Sequence, residues 1–593
     1  MVVRTHMAPA RALLFLLTLG TGVLIVLTGC APQSNSEPPA PSTIMMPMRD
    51  GVRLATDVYF PPGEQRRYPV ILLRTPYHKA WLEEYGRYYS RHGYAFAIQD
   101  VRGRFGSEGV WEPFLNEGKD GYDAIEWLAT QEWSTGKIGM IGGSYSGSAQ
   151  FAAAILKPPH LATIVPNITP AIPFDNLPYE GGTLLLGWAI RWVDIMENAR
   201  TGREFSEKLQ AAIREDWSER LDHLPVMDLD VDIVGKKTTY WRKWLEHNTL
   251  DTFWKPATYL DQLSEVDIPV LLQSGWFDGG TRGTKLAYRR LTQAGNPNLR
   301  MILGPWAHSD RGSRYLHGMD MGPAAEVDLF DRYRQWFDRW LKGQQVDDDE
   351  TPVEIYLMGS NRWLRGATYP LAGTQITPFY LSDASGTSSA RIDGSLAPSL
   401  QVSATASDRY SYDPAQPTPS FYAHMKRDDL GAYHSRISSH RDALLYETPP
   451  MEHPLHLAGP VEATIYGASS ALDTDWSLTL YGISDDGQAY PIGLTFGMLR
   501  ARFRESRTHP TLLEPGVVYE FNVDLGHTAM TVPAGHRLRL EIASASFPEY
   551  ARNLNTGGNN ELETRYMVAD QRVYRGGEFP SHLSLPVVTF APE

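Results

Sequence analysis

The sequence is poor in cysteine, since Cys30 is the only one among 593 residues. An intramolecular disulfide is therefore excluded, and so is a cysteine-rich zinc or iron–sulfur site. Basic residues are outnumbered, with 55 Lys and Arg against 69 Asp and Glu and a net charge of −14. This balance argues against nucleic acid as a partner. With 42% hydrophobic and 21% charged residues, the chain has the composition of a globular protein with a large core.

Apolar runs that approach the length of a bilayer span occur only at the start of the chain. Residues 12–29 carry no charge, follow a basic start and have the layout of a signal peptide. The run ends in Leu-Thr-Gly-Cys, which resembles the bacterial lipobox. We therefore expect a lipoprotein signal peptide over residues 1–29, lipid on Cys30, and a Pro-rich tether over residues 30–44. The protein would then be exported and lipid-anchored in the bacterial cell envelope; an uncleaved signal anchor or a plain secretory peptide is the alternative.

Short apolar runs and amphipathic stretches alternate from residue 45 onward. Such alternation predicts an α/β fold, with a parallel sheet covered by helices on both faces. We assign this core to residues 45–172 and 262–345. The predicted strands cover residues 70–73, 94–98, 138–141, 269–272 and 300–303, and the predicted helices cover 121–130, 283–291 and 330–341.

Two further parts depart from this alternation. Residues 173–261 are charged, rich in tryptophan and helix-like, so we expect a helical cap inserted into the core. Residues 346–593 show short strand-like runs between Gly, Pro and Asp turns, with no helix longer than two turns standing out. This pattern predicts an all-β sandwich of the jelly-roll kind.

A glycine-flanked serine follows the predicted strand at residues 138–141. The segment 142–147 reads Gly-Gly-Ser-Tyr-Ser-Gly, and a good helix start comes after it. Strand, serine turn and helix together are typical of a nucleophile elbow, in which a Cβ at Gly142 or Gly147 would collide. The helix N-terminus also supplies N–H groups where an oxyanion would form. The alternative is a Gly/Ser-rich turn in which a serine only caps the helix.

A serine hydroxyl needs a base to remove its proton, and the base needs an acid to orient it. In α/β-hydrolases the chain order is Ser, then Asp or Glu, then His, each after a strand. Asp278 and His308 directly follow the strands predicted at 269–272 and 300–303, at the sheet edge where such folds place their sites. Each residue alone has a structural alternative, but with Ser144 the three types appear in the expected order and context.

The sequence resembles the cocaine-esterase/NonD hydrolase family, which is related to X-Pro dipeptidyl-peptidases and α-amino-acid ester hydrolases. The resemblance implies an α/β-hydrolase core with an inserted cap, followed by a jelly roll. It also implies Ser144 as nucleophile, His308 as base, Asp278 as its orienter, and an oxyanion hole made by the Tyr145 N–H and the Tyr77 phenol. The matching stretches are residues 74–77, 100–103, 142–147, 275–278 and 304–308, and in the second half 499–504, 535–540 and 552–556.

One departure from the relatives bears on the substrate. α-Amino-acid ester hydrolases carry acidic residues shortly after the triad Asp, whereas Gly279, Gly280 and Thr281 follow Asp278 here. We therefore predict a serine hydrolase of neutral carboxylic esters that works through an acyl-enzyme. Two alternatives stay open: hydrolysis of amides, as in X-Pro dipeptidyl-peptidases or β-lactam acylases, and a non-catalytic binding lipoprotein.

Large aromatic side chains near the predicted site are candidates for a substrate pocket. Trp188 lies in the cap with Trp192 nearby, while Trp276 and Trp306 flank the triad positions. Core packing is the equal alternative for these residues. The histidines lack the spacing of a metal site, so we expect neither metal nor cofactor. The expected partner is a small ester or amide, and the oligomeric state is left open.

Overall fold

The computed structural model describes residues 39–590, apart from residues 64–65, 172, 317, 347–350, 384–391 and 401–403. The predicted signal peptide, Cys30 and most of the predicted tether lie outside the described residues, whereas residues 42–44, expected at the end of the tether, belong to the first strand of the core sheet (Ser42–Pro47). Within the described part, no helix combines the length and apolar character that crossing a bilayer requires.

Strands of the N-terminal part build one large mixed sheet. In chain order the strands of this part are β1 (Ser42–Pro47), β2 (Arg53–Tyr59), β3 (Tyr68–Thr75), β4 (Ala95–Asp100), β5 (Ser134–Gly143), β6 (Leu161–Asn167), β7 (Tyr179–Glu180), β8 (Thr183–Leu184), β9 (Val270–Phe277), β10 (Leu299–Ala307), β11 (Tyr315–Leu316), β12 (Met319–Asp320), β13 (Val353–Leu357) and β14 (Arg362–Gly366). The sheet has ten strands in the order β1-β2-β4-β3-β5-β6-β9-β10-β13-β14. The run from β4 to β13 is parallel, and the strands at its edges pair antiparallel.

Helices cover both faces of this sheet, as the sequence predicts. The helices of the N-terminal part are α1 (Glu83–Arg91), α2 (Glu117–Ala129), α3 (Tyr145–Ala154), α4 (Leu186–Asn198), α5 (Gly202–Arg214), α6 (Ser218–Leu221), α7 (Thr239–Glu246), α8 (Thr281–Gln293) and α9 (Leu329–Lys342), of which α1, α2, α3, α8 and α9 pack against the sheet. Ile125 of α2 and Phe151 of α3 belong to the core on one face, whereas Tyr89 of α1 and Phe337 of α9 belong to the core on the other. Helix α9 ends at Gly343, whose φ of 69° is the left-handed conformation that glycine adopts without strain.

The chain between β6 and β9 forms the inserted cap, with helices α4 to α7. Its tryptophans pack inward, and Trp241, Trp244 and Trp254 are among the largest fully buried side chains of the described chain. The cap also contains a small hairpin, β7-β8, that the sequence analysis does not predict. Its signal is the pair Gly181-Gly182, both with positive φ, because two-residue hairpin turns favour Gly-Gly.

The C-terminal part is all-β from residue 374 onward, as predicted for a jelly roll. The two strands β13 and β14, which lie in the range 346–593 expected for the jelly roll, instead extend the sheet of the core through the pairing of β13 with β10. The strands of the jelly roll are β15 (Thr374–Ser382), β16 (Gly394–Ala397), β17 (Ala406–Tyr412), β18 (Ala443–Glu447), β19 (Leu455–Ser469), β20 (Asp475–Ile483), β21 (Ala489–Tyr490), β22 (Phe496–Arg500), β23 (Tyr519–Val532), β24 (Arg537–Ala543), β25 (Ala569–Arg575) and β26 (His582–Val588). They pair antiparallel, except that β16 and β18 are parallel.

This part also holds two helices, α10 (Phe421–Lys426) and α11 (Leu430–Ser439). The expectation of no helix longer than two turns is therefore wrong for α11, which has ten residues. The periodic signal is short: Leu430, Tyr433 and Ile437 lie on one side, and the last two are buried.

Candidate active site

Ser144 occupies a sharp turn between β5 and α3. Its φ of 59° and ψ of −123° are unusual for a residue other than glycine, and such conformations cluster at functional sites. A Cβ on Gly142 would lie 2.6 Å from the Cβ of Ser146, and a Cβ on Gly147 would overlap the Thr169 hydroxyl. The collisions predicted at these two glycines are confirmed, so both glycines are needed to pack the strand against the helix.

The helix that follows Ser144 presents its N-terminus to the same place. The N–H groups of Gly147 and Ser148 donate to the Ser144 carbonyl at 2.9 and 3.1 Å. Tyr145 is the first residue of α3, so its own N–H has no acceptor within the helix. That N–H and the helix dipole are suited to stabilise a negative charge that develops beside Ser144.

Asp278 and His308 meet at the ends of two neighbouring parallel strands. Asp278 follows β9 and His308 follows β10, and the His308 Nδ1 lies 2.7 Å from the Asp278 Oδ1. The Asp278 side chain is fully buried, whereas that of His308 is 51% exposed. An imidazole held at one nitrogen by a buried carboxylate, with its other side open, is suited to accept a proton.

Further donors surround the Asp278 carboxylate. The Ser274 hydroxyl donates to Oδ2 at 2.6 Å, and the Gly280 N–H donates to Oδ1 at 3.0 Å. Burial acts to raise the pKa of Asp278, but the charge of His308 and these hydrogen bonds outweigh it, so the pKa lies below its ordinary value. Asp278 is therefore held ionised beside His308.

The elements that carry these three residues are linked at one edge of the sheet. The strand order β5-β6-β9-β10 brings the carboxyl ends that precede Ser144, Asp278 and His308 to the same side. Arg311, on the loop after His308, donates to the Asn167 side chain at 2.6 Å, and the Asn167 carbonyl accepts the Ser144 N–H at 3.0 Å. Among the described residues, no direct hydrogen bond joins the Ser144 hydroxyl to His308.

The Ser144 side chain interacts instead with Tyr77, which follows β3. Burial raises the pKa of the Tyr77 phenol, and hydrogen bonds with Trp192 and Ser144 partly oppose that rise. The Trp192 indole N–H donates to the Tyr77 oxygen at 3.2 Å. The phenol of Tyr77 is thus protonated, close to Ser144 and oriented from the cap.

The Tyr145 hydroxyl lies in a buried polar cluster, while the ring of the same residue packs edge-on against Tyr77 with centroids 6.5 Å apart. The hydroxyl accepts the Phe114 N–H at 3.0 Å and the Trp111 indole N–H at 3.2 Å, and it donates to Glu117 at 2.7 Å. Glu117 in turn forms a buried ion pair of 2.6 Å with Arg74. Only the backbone N–H of Tyr145 is therefore available to the reaction, and its side chain anchors the first turn of α3.

Sequence reasoning missed Glu117 and the hydrogen bond of Trp192. A signal exists for the first, because Arg74 stands inside an apolar strand run, and a buried arginine requires an acidic partner. Nothing in the sequence indicates that the Trp192 indole reaches Tyr77, since the two residues are 115 positions apart.

The predicted pocket tryptophans divide into two groups. Trp188 is partly buried in the cap and stacks on Trp192, with ring centroids 5.6 Å apart. Trp276 and Trp306 are each only 1% exposed, and their indole N–H groups donate to backbone carbonyls, at 2.7 and 3.0 Å respectively. Both therefore belong to the core clusters, which is the alternative that the sequence left open, and their part in a pocket stays a prediction.

No group of three or more His, Cys, Asp or Glu side chains within the described chain is arranged to hold a metal ion. The polar groups that the structure does bring to this sheet edge are Ser144, the His308–Asp278 pair and the polar hydrogens around them. On this fold, with this turn and these strand ends, the protein is a serine hydrolase of the α/β-hydrolase class.

Comparison with known proteins places the chain within that class. Residues 50–310 match the X-Pro dipeptidyl-peptidase (S15 family) model, and residues 344–584 match the X-Pro dipeptidyl-peptidase C-terminal non-catalytic domain. A cocaine esterase from Rhodococcus sp. (strain MB1 Bresler) is 33% identical over 573 residues, which cover 92% of this chain and 98% of that protein. The chain belongs to the cocaine-esterase/NonD hydrolase family, and it is a serine carboxylic-ester hydrolase.

Solved structures with the same fold cover nearly the whole chain. An aminopeptidase from the marine sediment archaeon Thaumarchaeota archaeon aligns with a TM-score of 0.78 at 24% identity, covering 96% of this chain and 99% of its own. An α-amino acid ester hydrolase aligns with a TM-score of 0.77 at 24% identity, covering 95% of this chain and 100% of its own. At these identities the likeness shows the fold alone.

Proposed function

We propose that Ser144 is the nucleophile, His308 the general base and Asp278 the residue that orients His308. The observation that carries the proposal is the combination of the strained turn at Ser144 with the 2.7 Å contact between His308 and Asp278 at the same sheet edge. The Tyr145 N–H and the Tyr77 phenol would form the oxyanion hole, because both supply polar hydrogens beside Ser144.

The proposed reaction proceeds in two acyl-transfer steps. The Ser144 hydroxyl turns from Tyr77 toward His308, gives up its proton and attacks the ester carbonyl carbon; catalytic hydrogen bonds often tighten only with substrate bound. Tyr77 and the Tyr145 N–H stabilise the tetrahedral oxyanion. His308 then protonates the departing alcohol, which leaves an acyl group on Ser144. Water, activated by His308, releases the acid and restores the hydroxyl.

We expect the substrate to be a neutral ester with an apolar acyl group. The named activity of the cocaine esterase relative is hydrolysis of an ester, which supports esters here. Gly279, Gly280 and Thr281 follow Asp278 and supply no carboxylate for a substrate ammonium group. The stacked rings of Trp188 and Trp192 provide an apolar wall beside Tyr77.

Amide hydrolysis is the second candidate, because both matching family models are named for X-Pro dipeptidyl-peptidases. Turnover of p-nitrophenyl acyl esters and of dipeptide p-nitroanilides by the same preparation separates the two. We expect kcat/KM to favour the esters, and a preference for the anilides would make the enzyme a peptidase.

A fluorophosphonate probe tests the nucleophile directly. The probe should label the wild-type protein and the Ser146→Ala variant, but not Ser144→Ala. Ser146 is the matched control because it lies in the same turn and in the buried first turn of α3. Labelling of Ser144→Ala, or no labelling of folded wild-type protein, would contradict the assignment; the second result would favour a non-catalytic binding role.

Replacing Tyr77 with phenylalanine tests the oxyanion hole. Removal of one such donor costs about 2.7–4 kcal/mol of transition-state stabilisation, or about 10²- to 10³-fold in kcat. We expect this loss with a p-nitrophenyl ester, with KM changed little because the ring is retained. A rate within twofold of wild type would refute the role of Tyr77.

We further propose that Cys30 carries a lipid that anchors the exported enzyme to a membrane of the bacterial cell envelope. Support comes from the sequence alone, namely the apolar run at residues 12–29 and the lipobox-like end. Metabolic labelling with an alkyne fatty acid should tag the full chain and not Cys30→Ser. Equal labelling of both proteins, or of neither, would contradict the lipoprotein assignment.

A further inference from the structure

Helix α4 of the cap contributes one polar hydrogen to the site, the indole N–H of Trp192. The indole N–H of Trp192 donates to the Tyr77 oxygen at 3.2 Å, and the Ser144 side chain interacts with the same phenol. We propose that Trp192 is a positioning residue that directs the Tyr77 hydroxyl toward the oxyanion. This inference rests on the proposed function of Tyr77, and it extends the catalytic machinery from the core into the cap.

The hydrogen bond between Trp192 and Tyr77 can run in one direction only. An indole N–H is a donor only, so the Tyr77 oxygen must act as the acceptor toward Trp192. The phenol hydrogen can therefore point elsewhere, and the Ser144 side chain is a polar neighbour that hydrogen-bonds with the phenol. When the Ser144 hydroxyl becomes part of the tetrahedral adduct, the oxyanion forms within reach of this hydrogen.

The Trp192 ring is held firmly enough to set that direction. It is 8% exposed, and two nearly parallel rings stack on it: the ring of Trp188 with centroids 5.6 Å apart and the ring of Trp244 with centroids 5.9 Å apart. Trp111 packs against it at a tilt, with centroids 5.7 Å apart. A large ring confined in this way keeps its N–H in one position.

A second contact ties the same helix to the Tyr77 segment. Arg104 donates to the carbonyl of Pro76, next to Tyr77, at 3.1 Å, and to the carbonyl of Met196 in α4 at 3.2 Å. The backbone before Tyr77 and the cap helix that carries Trp192 are therefore held in fixed relation. The hydrogen bond from Trp192 to the Tyr77 phenol therefore depends on the position of helix α4 relative to the core.

A double-mutant cycle with Trp192→Phe and Tyr77→Phe tests the inference. The phenylalanine keeps an aromatic ring but removes the N–H, so we expect kcat for a p-nitrophenyl ester to fall about 3- to 10-fold, the usual range for one hydrogen bond. KM should stay within twofold. Binding of a phenylboronic acid, which places an oxygen in the oxyanion hole, should weaken by the same factor. In the Tyr77→Phe background, adding Trp192→Phe should have no further effect on kcat.

Trp241→Phe is the matched control. Trp241 is another buried cap tryptophan, and its N–H donates to the Met227 carbonyl at 2.9 Å, within the cap. This variant should lose thermal stability as Trp192→Phe does, but keep wild-type kcat. If Trp192→Phe does not fold, β-(3-benzothienyl)alanine at position 192 replaces only the N–H by sulfur and serves in its place.

The outcomes separate this inference from the proposed function. If Tyr77→Phe leaves kcat unchanged, the oxyanion role of Tyr77 fails and the role of Trp192 fails with it. If Tyr77→Phe is slow but Trp192→Phe is not, only the role of Trp192 is overturned. An equal loss from Trp192→Phe in both backgrounds, or a matching loss in Trp241→Phe, would also overturn it, since the ring would then act through the stability of the cap.

Discussion

Replacing Asp278 with asparagine tests whether the surroundings of this side chain fix the tautomer of His308. The two oxygens of the Asp278 carboxylate accept hydrogen bonds from different donors. Oδ1 accepts from His308 Nδ1 at 2.7 Å and from the Gly280 N–H at 3.0 Å, whereas Oδ2 accepts from the Ser274 hydroxyl at 2.6 Å. An asparagine must place its single oxygen on one of these sides and its NH₂ on the other.

The neighbours of Asp278 favour one orientation of the amide. An NH₂ on the Oδ1 side would face the Gly280 N–H, donor against donor. On the Oδ2 side the NH₂ donates to the Ser274 oxygen, and the Ser274 hydrogen turns to the Thr281 hydroxyl 2.8 Å away. Thr281 already donates to the Gly275 carbonyl, so every group in this chain finds a partner. The asparagine oxygen therefore stays toward His308, which keeps its proton on Nδ1.

The expected loss of kcat in Asp278→Asn follows from the interaction that the substitution removes. In serine proteases the equivalent change costs about 10⁴-fold in kcat because the imidazole adopts the wrong tautomer. Here the tautomer is kept, and the loss is the attraction between the carboxylate and the imidazolium. At a charge separation of about 4 Å and an effective dielectric constant of about 20, this is about 4 kcal/mol, or roughly 10³-fold. The amide dipole retains part of it, so we expect a loss of about 10²- to 10³-fold.

The assay is kcat with a saturating p-nitrophenyl ester for Asp278→Asn, Ser274→Ala and the double variant. Ser274→Ala alone should cost less than about tenfold, because it removes one hydrogen bond to the carboxylate. In the double variant the NH₂ loses its acceptor, the flipped amide gains population, and we expect a further loss of at least about tenfold. A loss of about 10⁴-fold for Asp278→Asn, unaffected by Ser274→Ala, would refute the reasoning, since the amide would already be flipped.

Three further outcomes follow from the packing and charges. Gly147→Ala should lower the melting temperature and activity, because its Cβ overlaps the Thr169 hydroxyl, while Gly279→Ala, with open space around its Cβ, should not. Arg74→Met should cost about 3–5 kcal/mol in urea unfolding, since it leaves the buried Glu117 carboxylate unpaired; a loss below 1 kcal/mol would contradict this. Burial acts to raise the pKa of Glu549, but the nearby cations lower it to about 2 from 4.5. Glu549 therefore contributes about 3 kcal/mol to the free energy of unfolding above pH 4.5, and this contribution is lost as the pH falls toward 2. When the free energy of unfolding is measured against pH, Glu549→Gln should reduce its fall between pH 4.5 and 2.

Local pattern predicted five strands in the middle of the core sheet, but neither their ends nor the remaining five strands of that sheet. The apolar run at residues 70–73 predicts a strand, and the observed β3 covers Tyr68–Thr75. The strand continues through Arg74 because Glu117 from α2 pairs with it, and Gln99 on the adjacent β4 accepts from its Nε at 2.8 Å. A strand can continue through a buried polar residue when residues distant in sequence supply its hydrogen-bond and ion-pair partners. The periodicity of the sequence does not reveal those partners.

The same distinction applies to the candidate site. Ser144, Asp278 and His308 can be predicted as candidate site residues from the sequence alone, because the strand before each of them and the residues around it indicate its position. Tyr77 was predicted only through the family resemblance, because nothing else in the sequence distinguishes a tyrosine that follows a strand. The contact between Tyr77 and Trp192 spans 115 positions and depends on how the cap folds over the sheet. Side-chain contacts of that kind become visible only when the tertiary structure is known.

The C-terminal domain supports the site although it supplies none of the proposed catalytic side chains. The two residues before Asp278 are held from that domain: the Leu494 N–H donates to the Trp276 carbonyl at 2.8 Å, and the Tyr422 hydroxyl donates to the Phe277 carbonyl at 3.3 Å.

Four residues after Asp278, Arg282 lies 2.9 Å from Asp524 of the jelly roll and 2.9 Å from Glu180 of the cap. All three parts of the protein thus hold the short segment that carries Asp278. If Asp278 has the proposed role, we expect these contacts to affect activity, because a displacement of about 1 Å in a catalytic group can cost about 10²-fold in rate. The matching family model names this domain non-catalytic. That description fits the proposed reacting atoms, whereas two hydrogen bonds and an ion pair from this domain hold the segment on either side of Asp278.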